Sequence, residues 1–329
     1  MPRTKSEKEC CSKFEGLPKI TTGCENTPLK ICLDKCSPEG QIRWYESNDG
    51  KHWKKVHCSK RKCLEIFPTL ADDGKYYRAE IRDNCDCWIS QKTQLQILPS
   101  SSLILDNGTV GNAIGNNPAF PPFEQFLWLN RFTPSSYPFI LKEIQIYFAS
   151  NVPADVCNGP TGITGTGGPT NVNIGDPVNL YIWANPGGYF NPAAGNVYLD
   201  SLTNQKVKKL DSFSSYVLPK PLIFEQGDVL IGSVNRVTTA PYFPASLQIA
   251  CANSARRSWI GQGYNNGVVP NPPFLPAPEW SLIDDLTSNN FFAGNWLIRA
   301  IGCGGSQEPI QLNQAISSSE KPGPTKTGV

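Results

Sequence analysis

The cysteines are the residues of this chain whose type and spacing are best suited to chemistry. The sequence has 12 cysteines in 329 residues, and nine of them fall within the first 90 residues. Thiolates bind metal ions and paired thiols form disulfides, so this crowding predicts a covalent framework or a metal site. The disulfide candidates are Cys10, Cys11, Cys24, Cys32, Cys36, Cys58, Cys63, Cys85, Cys87, Cys157, Cys251 and Cys303.

One group of these residues has the ligand types of a zinc site. His57 and Cys58 precede Cys63, and Cys85 and Cys87 follow further along the chain. Four sulfurs and an imidazole are enough for tetrahedral coordination. The cysteine pairs are separated by four residues and by one, whereas a zinc knuckle has two. Disulfides are therefore favoured in an exported protein, and free thiols and zinc are the alternatives.

The number of cysteines in each region bears on how they pair. Cys10 and Cys11 are adjacent, and disulfide geometry prefers Cα atoms farther apart than neighbours lie. The remaining part of the chain has three cysteines, so both regions hold an odd number. If every cysteine is oxidised, at least one disulfide joins the two regions or joins two chains.

Catalytic machinery is not indicated by the sequence. His52 and His57 are the only histidines, which excludes a Ser-His-Asp triad from residues 58–329. Glycoside hydrolysis needs two carboxylates, and Asp284 and Asp285 are the one adjacent pair in the larger region. The glycine-rich run 159–168 lacks the Lys-Ser/Thr ending of a phosphate-binding loop. We expect no enzyme, no catalytic residue and no cofactor.

Composition predicts the elements that position these residues. Hydrophobic residues make up 39% of the chain in short runs, with 28 Gly and 29 Pro, which favours many short strands. No apolar stretch approaches the roughly 18 to 20 residues of a membrane span. The basic start is not followed by the apolar segment of a signal peptide. Three explanations are open: a signal peptide was removed, export uses another route, or the protein is not exported.

The charge pattern argues against nucleic acid as a partner. Net charge is +2, with 18 Lys/Arg against 14 Asp/Glu in residues 1–98 and 12 against 14 in the remainder. Nucleic-acid binding requires a more concentrated basic surface. The densest basic run is 51–62, and a hairpin edge protected by lysines is favoured there over a polyanion site.

In residues 17–98, the hydrophobic pattern predicts strands at 28–33, 41–47, 53–57, 62–67, 76–82 and 88–98. The segments IRWYESNDGKHW and LEIFPTLADDGKYYRAEI in this region resemble the immunoglobulin-like superfamily, in particular its I-set-type modules. The resemblance implies that Trp44 is the buried tryptophan, Tyr76 the corner tyrosine and Cys32 the first core cysteine. Arg78 then stands at the position of the second core cysteine, so Cys32 needs a different partner.

The larger region is expected to be a second β-sandwich. Alternating runs such as LKEIQIYF, VNLYIWA, GNVYLDSL, GDVLIGSVNRV and NWLIRAIG predict strands joined by hairpins or Greek-key crossings. NRFTPSSYPFILKEIQIYF, GDVLIGSVNR, RRSWIG and GNWLIRAIG resemble a jelly-roll-like module of secreted bacterial proteins of unassigned function. The expected organisation is an N-terminal arm 1–16, an immunoglobulin-like domain 17–98, a linker 99–102, a jelly-roll-like sandwich 103–304 and a tail 305–329.

Aromatic residues provide the binding hypothesis. Tryptophans within alternating strands, such as Trp183 and Trp296, are expected in the core. Tyr189, Tyr264 and Trp280 lie near Asn- and Gly-rich loops and form a possible glycan platform.

The leading functional hypothesis is a non-enzymatic structural or adhesive subunit of an extracellular or surface assembly, such as a filament, sheath or fibre. Self-association would use strand addition and interchain disulfides. The alternatives are a carbohydrate-binding cell-surface protein and a phage or virion decoration protein.

Overall fold

The structure is a computed structural model, and its described part consists almost entirely of strands. It covers 11–34, 39–59, 61–83, 86–116, 125–153, 167–192, 194–249, 254–262, 267–275, 279–285 and 294–305, with only the backbone described at 57–59, 249 and 279. Short 3₁₀ turns occupy Leu70–Asp72 and Ile283–Asp285. The prediction of an all-β fold is confirmed. No helix within these ranges has the length and apolarity needed to cross a membrane.

The chain divides into two compact units. The first contains 1–101 and also 302–304, and the second contains 102–301 and 305–329. The segment interpreted as a linker contains strand, because Ser100–Leu103 is β-structure. The first ten strands are β1 Ser12–Phe14, β2 Ile20–Cys24, β3 Leu29–Cys32, β4 Gln41–Ser47, β5 Lys54–Ser59, β6 Cys63–Ile66, β7 Tyr76–Arg82, β8 Cys87–Ser90, β9 Thr93–Leu98 and β10 Ser100–Leu103.

The first unit has a large sheet and a two-stranded sheet. The large sheet has the order β1-β8-β7-β4-β5. Strand β9 pairs with the first residues of β7, whereas β8 pairs with its last residues, and β9 also pairs with β2. The pairs β1–β8 and β2–β9 are parallel, whereas the other pairs of this sheet are antiparallel. Strands β3 and β6 form the second sheet. This arrangement is sandwich-like and compatible with an immunoglobulin-like fold.

Trp44 lies at the centre of the first core and is completely buried. It pairs across the sheet with Ala79, and Tyr77 and Ile81 also point inward from β7. Side chains alternate between the two faces of a strand, so Arg78 lies on the outer face. The assignment of Arg78 to a core position is therefore wrong, because the inward residue is one position further on.

The same one-residue difference applies to two other residues matched to the family. Ile31 is the inward residue of β3, and Cys32 is exposed. Tyr77 is buried at the corner, whereas Tyr76 is only half-buried and its ring lies 4.5 Å from Lys92 Nζ. Ile31 and Ala79 are buried in the same apolar cluster as Trp44.

Three disulfides join six of the cysteines. Cys32 pairs with Cys63 across β3 and β6, and Cys11 pairs with Cys87. Cys24 pairs with Cys303, and both residues belong to the first unit although they are 279 positions apart in the sequence. The other six candidates lie outside the described side chains: Cys10, Cys36, Cys58, Cys85, Cys157 and Cys251.

The second unit contains the remaining strands. They are β11 Asn112–Asn116, β12 Phe126–Phe132, β13 Phe139–Phe148, β14 Asn151–Val152, β15 Gly168–Pro169, β16 Pro177–Asn185, β17 Val197–Lys206, β18 Ser212–Phe224, β19 Asp228–Asn235, β20 Tyr242–Ile249, β21 Ser258–Gln262, β22 Glu279–Leu282, β23 Gly294–Trp296 and β24 Ile298–Gly304. Strand β24 crosses from the second unit into the first at Gly302.

A six-stranded sheet dominates the second unit. Its order is β17-β16-β19-β12-β21-β22, and separate sheets have the orders β10-β24-β13-β18 and β11-β20-β23. The main core receives Leu180 and Ile182 from β16, together with Ile144 and Ile146 from β13. The opposite face of β16 presents Tyr181 and Trp183 to a second cluster. The six-stranded sheet is therefore covered on both faces, which explains its fully buried strands β12 and β19.

Candidate functional site

The zinc candidates separate into two groups. Cys63 and Cys87 are each bonded to another sulfur, so neither provides a thiolate ligand in this structure. The side chains of His57 and Cys58, and all of Cys85, lie outside the described part of the chain. Across the ranges that the structure describes, no three His, Cys, Asp or Glu side chains are grouped as a metal site.

The adjacent carboxylates Asp284 and Asp285 have different surroundings. Asp284 is buried, and burial raises the pKa of its carboxyl above the ordinary value. Asp285 is exposed and binds Arg256, with 2.9 Å between Nη2 and Oδ1. The absence of catalysis stays a prediction.

Two of the three proposed platform residues lie in the described part, on the outer side of the six-stranded sheet. Tyr189 is 54% exposed, in the loop between β16 and β17. Trp280 is half-buried and stacks on Trp259, with ring centroids 5.7 Å apart and planes at 9°. Phe190 contacts Trp259 edge-on at 5.8 Å. These contacts connect the Tyr189 loop to Trp280, and Tyr264 lies outside the described residues.

A buried polar network holds this loop. Arg131 Nη1 donates to the carbonyl oxygen of Tyr189 at 2.8 Å and lies 3.5 Å from Asp228 Oδ2. Asn185 Nδ2 donates both to the Tyr189 carbonyl and to Asp228, each at 2.9 Å. Arg131 and Asp228 are only 6% and 2% exposed. The guanidinium of Arg131 also lies 5.2 Å from the centre of the Phe190 ring.

The loop ends beside the first residues of β17. Gly195 has a positive φ of +80°, and a Cβ there would lie 2.9 Å from Cε2 of Tyr189. The Tyr189 ring therefore lies against Gly195, two residues before the strand begins. Glycine is required at this position both for the backbone conformation and for the close approach of the ring.

An apolar surface extends from the loop along β17. Val197, Tyr198 and Leu199 are 50%, 42% and 38% exposed. We call this surface the apolar corner, and its members are Tyr189, Phe190, Val197, Tyr198 and Leu199. Tyr198 is supported from within the sheet by Trp183, whose ring meets it at 69° and 6.4 Å. The apolar corner therefore combines exposed apolar side chains with aromatic packing against the buried ring of Trp183.

Strand β17 is also an end strand of its sheet. It pairs with β16 on one side and has no partner strand on the other within the described residues. The end strand β18 differs, because it contains Pro219 and Pro221 between the exposed residues Val217 and Ile223. Proline has no backbone N–H to donate, so it blocks the addition of another strand. Strand β17 contains no proline.

Sequence reasoning missed most of the apolar corner. The run GNVYLDSL predicts one buried face and one polar face, whereas three consecutive apolar residues are exposed. Gly227-Asp228 reads as an ordinary turn, and only the fold places Asp228 beside Arg131. The sequence does contain one signal for this surface, namely the three consecutive apolar residues Val197, Tyr198 and Leu199. In an alternating strand only every second residue faces the core, so at least one of the three is expected on the outer face.

Comparison with known proteins adds no assignment: no protein-family model matches this chain, and no curated protein matches it significantly.

Proposed function

We propose that this protein is a non-enzymatic structural or adhesive subunit, and that its copies associate through β17 into an extracellular or surface assembly. The observation that carries the proposal is the β17 edge, which has no strand partner among the described residues, with Val197, Tyr198 and Leu199 exposed. An unpaired edge presents backbone donors and acceptors to a second strand, and apolar side chains add burial. The occupant is the β17 edge of a second copy.

The state of the cysteines supports an extracellular setting. Three disulfides form within the described part, and such bonds persist in oxidising compartments. The six cysteines outside the described side chains are the candidates for covalent links between copies. Electrophoresis with and without reductant tests this point, since interchain bonds predict multimers that disappear on reduction. A monomer under both conditions would exclude them.

In this proposal the first unit is an immunoglobulin-like domain of the I-set type, and the second is jelly-roll-like. Both types of sandwich end in exposed edge strands unless the sheet closes. An assembly built from such modules grows by edge contacts and needs no catalytic group.

The decisive experiment introduces charge into the β17 edge. We expect Val197→Lys with Leu199→Lys to convert an oligomer or filament into monomers, since lysine on an edge opposes strand addition. Electron microscopy and analytical ultracentrifugation of the native and variant chains measure the outcome. The matched control is Val217→Lys, which adds charge at an exposed position on the proline-containing edge β18. A monomeric native protein, or equal loss in the control, would refute association through β17.

Glycan binding is a second candidate function, favoured by the fixed exposed ring of Tyr189. A flat ring held by its neighbours offers an apolar surface for a sugar at low entropic cost. Glycan-array binding that Tyr189→Ala abolishes, in a protein that remains monomeric, would favour this candidate over assembly.

A further inference from the structure

The outer face of the first unit's large sheet carries a group of cations. Cross-strand pairing places Tyr45 opposite Arg78, and Arg43 opposite Glu80. Since Arg78 is outward and alternate residues share a face, Arg43 and Arg82 lie on the same side. Lys55 on β5 pairs with Tyr45 and extends the group. We call this surface the basic face, and its members are Arg43, Tyr45, Trp53, Lys55, Arg78, Glu80 and Arg82.

Among the side chains that the structure describes, Glu80 is the carboxylate that contacts Arg43 and Arg82. Arg82 Nε donates to its Oε1 at 2.5 Å, and Arg43 Nη1 lies 3.6 Å from the same oxygen. The hydroxyl of Tyr45 donates to Oε2 at 3.1 Å. Glu80 is largely buried by these partners. The seven described residues of the basic face include four positive charges and one negative charge, which is a formal charge of +3 for this set.

The guanidinium of Arg78 lies over two aromatic rings. Its guanidinium carbon lies 4.2 Å from the centre of the Trp53 ring and 5.7 Å from that of Tyr45. Partial burial lowers the pKa of this guanidinium, although Glu80 acts in the opposite direction. An arginine ordinarily stays charged in proteins. A further anion beside Arg78 would therefore stabilise a cation that is already partly removed from water.

The position of the basic face restricts what binds there. Strand β4 is paired on both sides by β5 and β7, and β7 lies between β4 and β8. Backbone groups of these central strands are already used in the sheet. A peptide that binds by strand addition needs an open edge. Recognition at this face must come from side chains alone, namely guanidinium groups, an ammonium group and the two aromatic rings.

We propose that the basic face binds a linear anionic polysaccharide that carries sulfate or carboxylate groups. Arginine pairs with such oxyanions through paired N–H donors, and the rings of Trp53 and Tyr45 provide apolar surfaces for sugar rings. Cations on the neighbouring strands β4, β5 and β7 match an extended polymer with repeated charges. This site is separate from the β17 edge and does not depend on self-association.

The test measures binding of the complete chain to heparin and to polygalacturonate, with uncharged dextran as the negative probe. Binding to heparin alone identifies sulfate, and binding to polygalacturonate alone identifies carboxylate; either supports the proposal. Lys55→Gln is expected to weaken binding about two- to fivefold, as the loss of one exposed ionic contact does. Lys30→Gln is the matched control, because Lys30 is an exposed lysine on β3 of the other sheet.

A second variant is expected to change binding in the opposite direction, which makes the test sharper. Glu80→Gln removes the central negative charge, so the basic face gains attraction for anions and binding is expected to strengthen about two- to fivefold. Circular dichroism confirms that each variant is folded, and the lysine variants decide the outcome if Glu80→Gln is not. The proposal is overturned if neither polysaccharide binds or if Lys55→Gln and Lys30→Gln behave alike. Equally tight binding of polyglutamate or single-stranded DNA would also overturn it.

Discussion

At the scale of single residues, the buried pair Arg131 and Asp228 is expected to have the largest effect on the free energy of unfolding. Removing two opposite charges from water is costly, and their attraction offsets the cost only when hydrogen bonds satisfy both groups. Thr133 and Asn185 donate to the carboxylate, while the Tyr189 carbonyl accepts from the guanidinium. The network thus connects a polar interior to an exposed aromatic loop, and its integrity determines where the Tyr189 ring lies.

We expect Asp228→Ala to lower the free energy of unfolding by roughly 3–5 kcal/mol, because it leaves Arg131 buried without its counter-ion. Urea denaturation followed by tryptophan fluorescence measures the change. The control is Asp285→Ala, which removes the exposed partner of Arg256 and should cost less than about 1 kcal/mol. Equal costs for the two variants would contradict the role given to burial.

At the scale of elements, strand positions follow the sequence where the alternation is clean. Strands β4 and β7 begin and end where the pattern predicts, at Gln41–Ser47 and Tyr76–Arg82. The predicted single strand 88–98 is instead divided into β8 and β9. Gln91 lies at the break, where its backbone N–H donates to the carbonyl of Phe14 at 2.9 Å. The break depends on β1, which pairs with β8 from a distant part of the chain.

The pairing of β11 with β20 provides a test at the same scale. Its register shifts between Ile114 and Asn116, and a Cβ on Gly115 would lie 1.9 Å from the carbonyl oxygen of Tyr242. Gly115→Ala should therefore lower the unfolding free energy by about 1–3 kcal/mol or more, since backbone must move.

Hydrogen exchange of the β11 and β20 amides, with urea denaturation, measures this effect. Gly23→Ala is the comparison, because the atoms that a Cβ would meet there belong to the Leu29 side chain, which can rotate. A larger loss of unfolding free energy for Gly23→Ala than for Gly115→Ala would show that the close backbone contact at Gly115 does not determine stability there.

At the scale of the whole molecule, the chain leaves the first unit after residue 101 and returns to it at 302–304. The returning segment is fixed by the disulfide between Cys24 and Cys303 and by hydrogen bonds from Gly304 to Pro99 and from Ser101 to Gly304. Cross-linking distant residues lowers the entropy of the unfolded chain, and the effect grows slowly with the length of the loop. The first unit is thus completed only after residues 102–301 of the second have been synthesised.

We expect the double variant Cys24→Ser with Cys303→Ser to lose up to about 5 kcal/mol of unfolding free energy by loop-entropy reasoning. Cys32→Ser with Cys63→Ser is the control and should lose less, since its residues are separated by only 31 positions. Chemical denaturation of both variants gives the comparison. A greater loss in the control would contradict the dependence on loop length.

The sequence by itself determined the all-β class, because two-residue alternation and frequent turn residues are local properties. It also determined that the cysteines could form a covalent framework. Only the tertiary structure decided that Ala79, and not Arg78, faces the core, since a shift of one residue exchanges the two faces of a strand. Tertiary structure likewise decided the partners of Cys24 and Cys32, and in the described part of the chain it leaves one edge of β17 without a partner strand. Those outcomes depend on contacts between residues far apart in the chain, which no local pattern encodes.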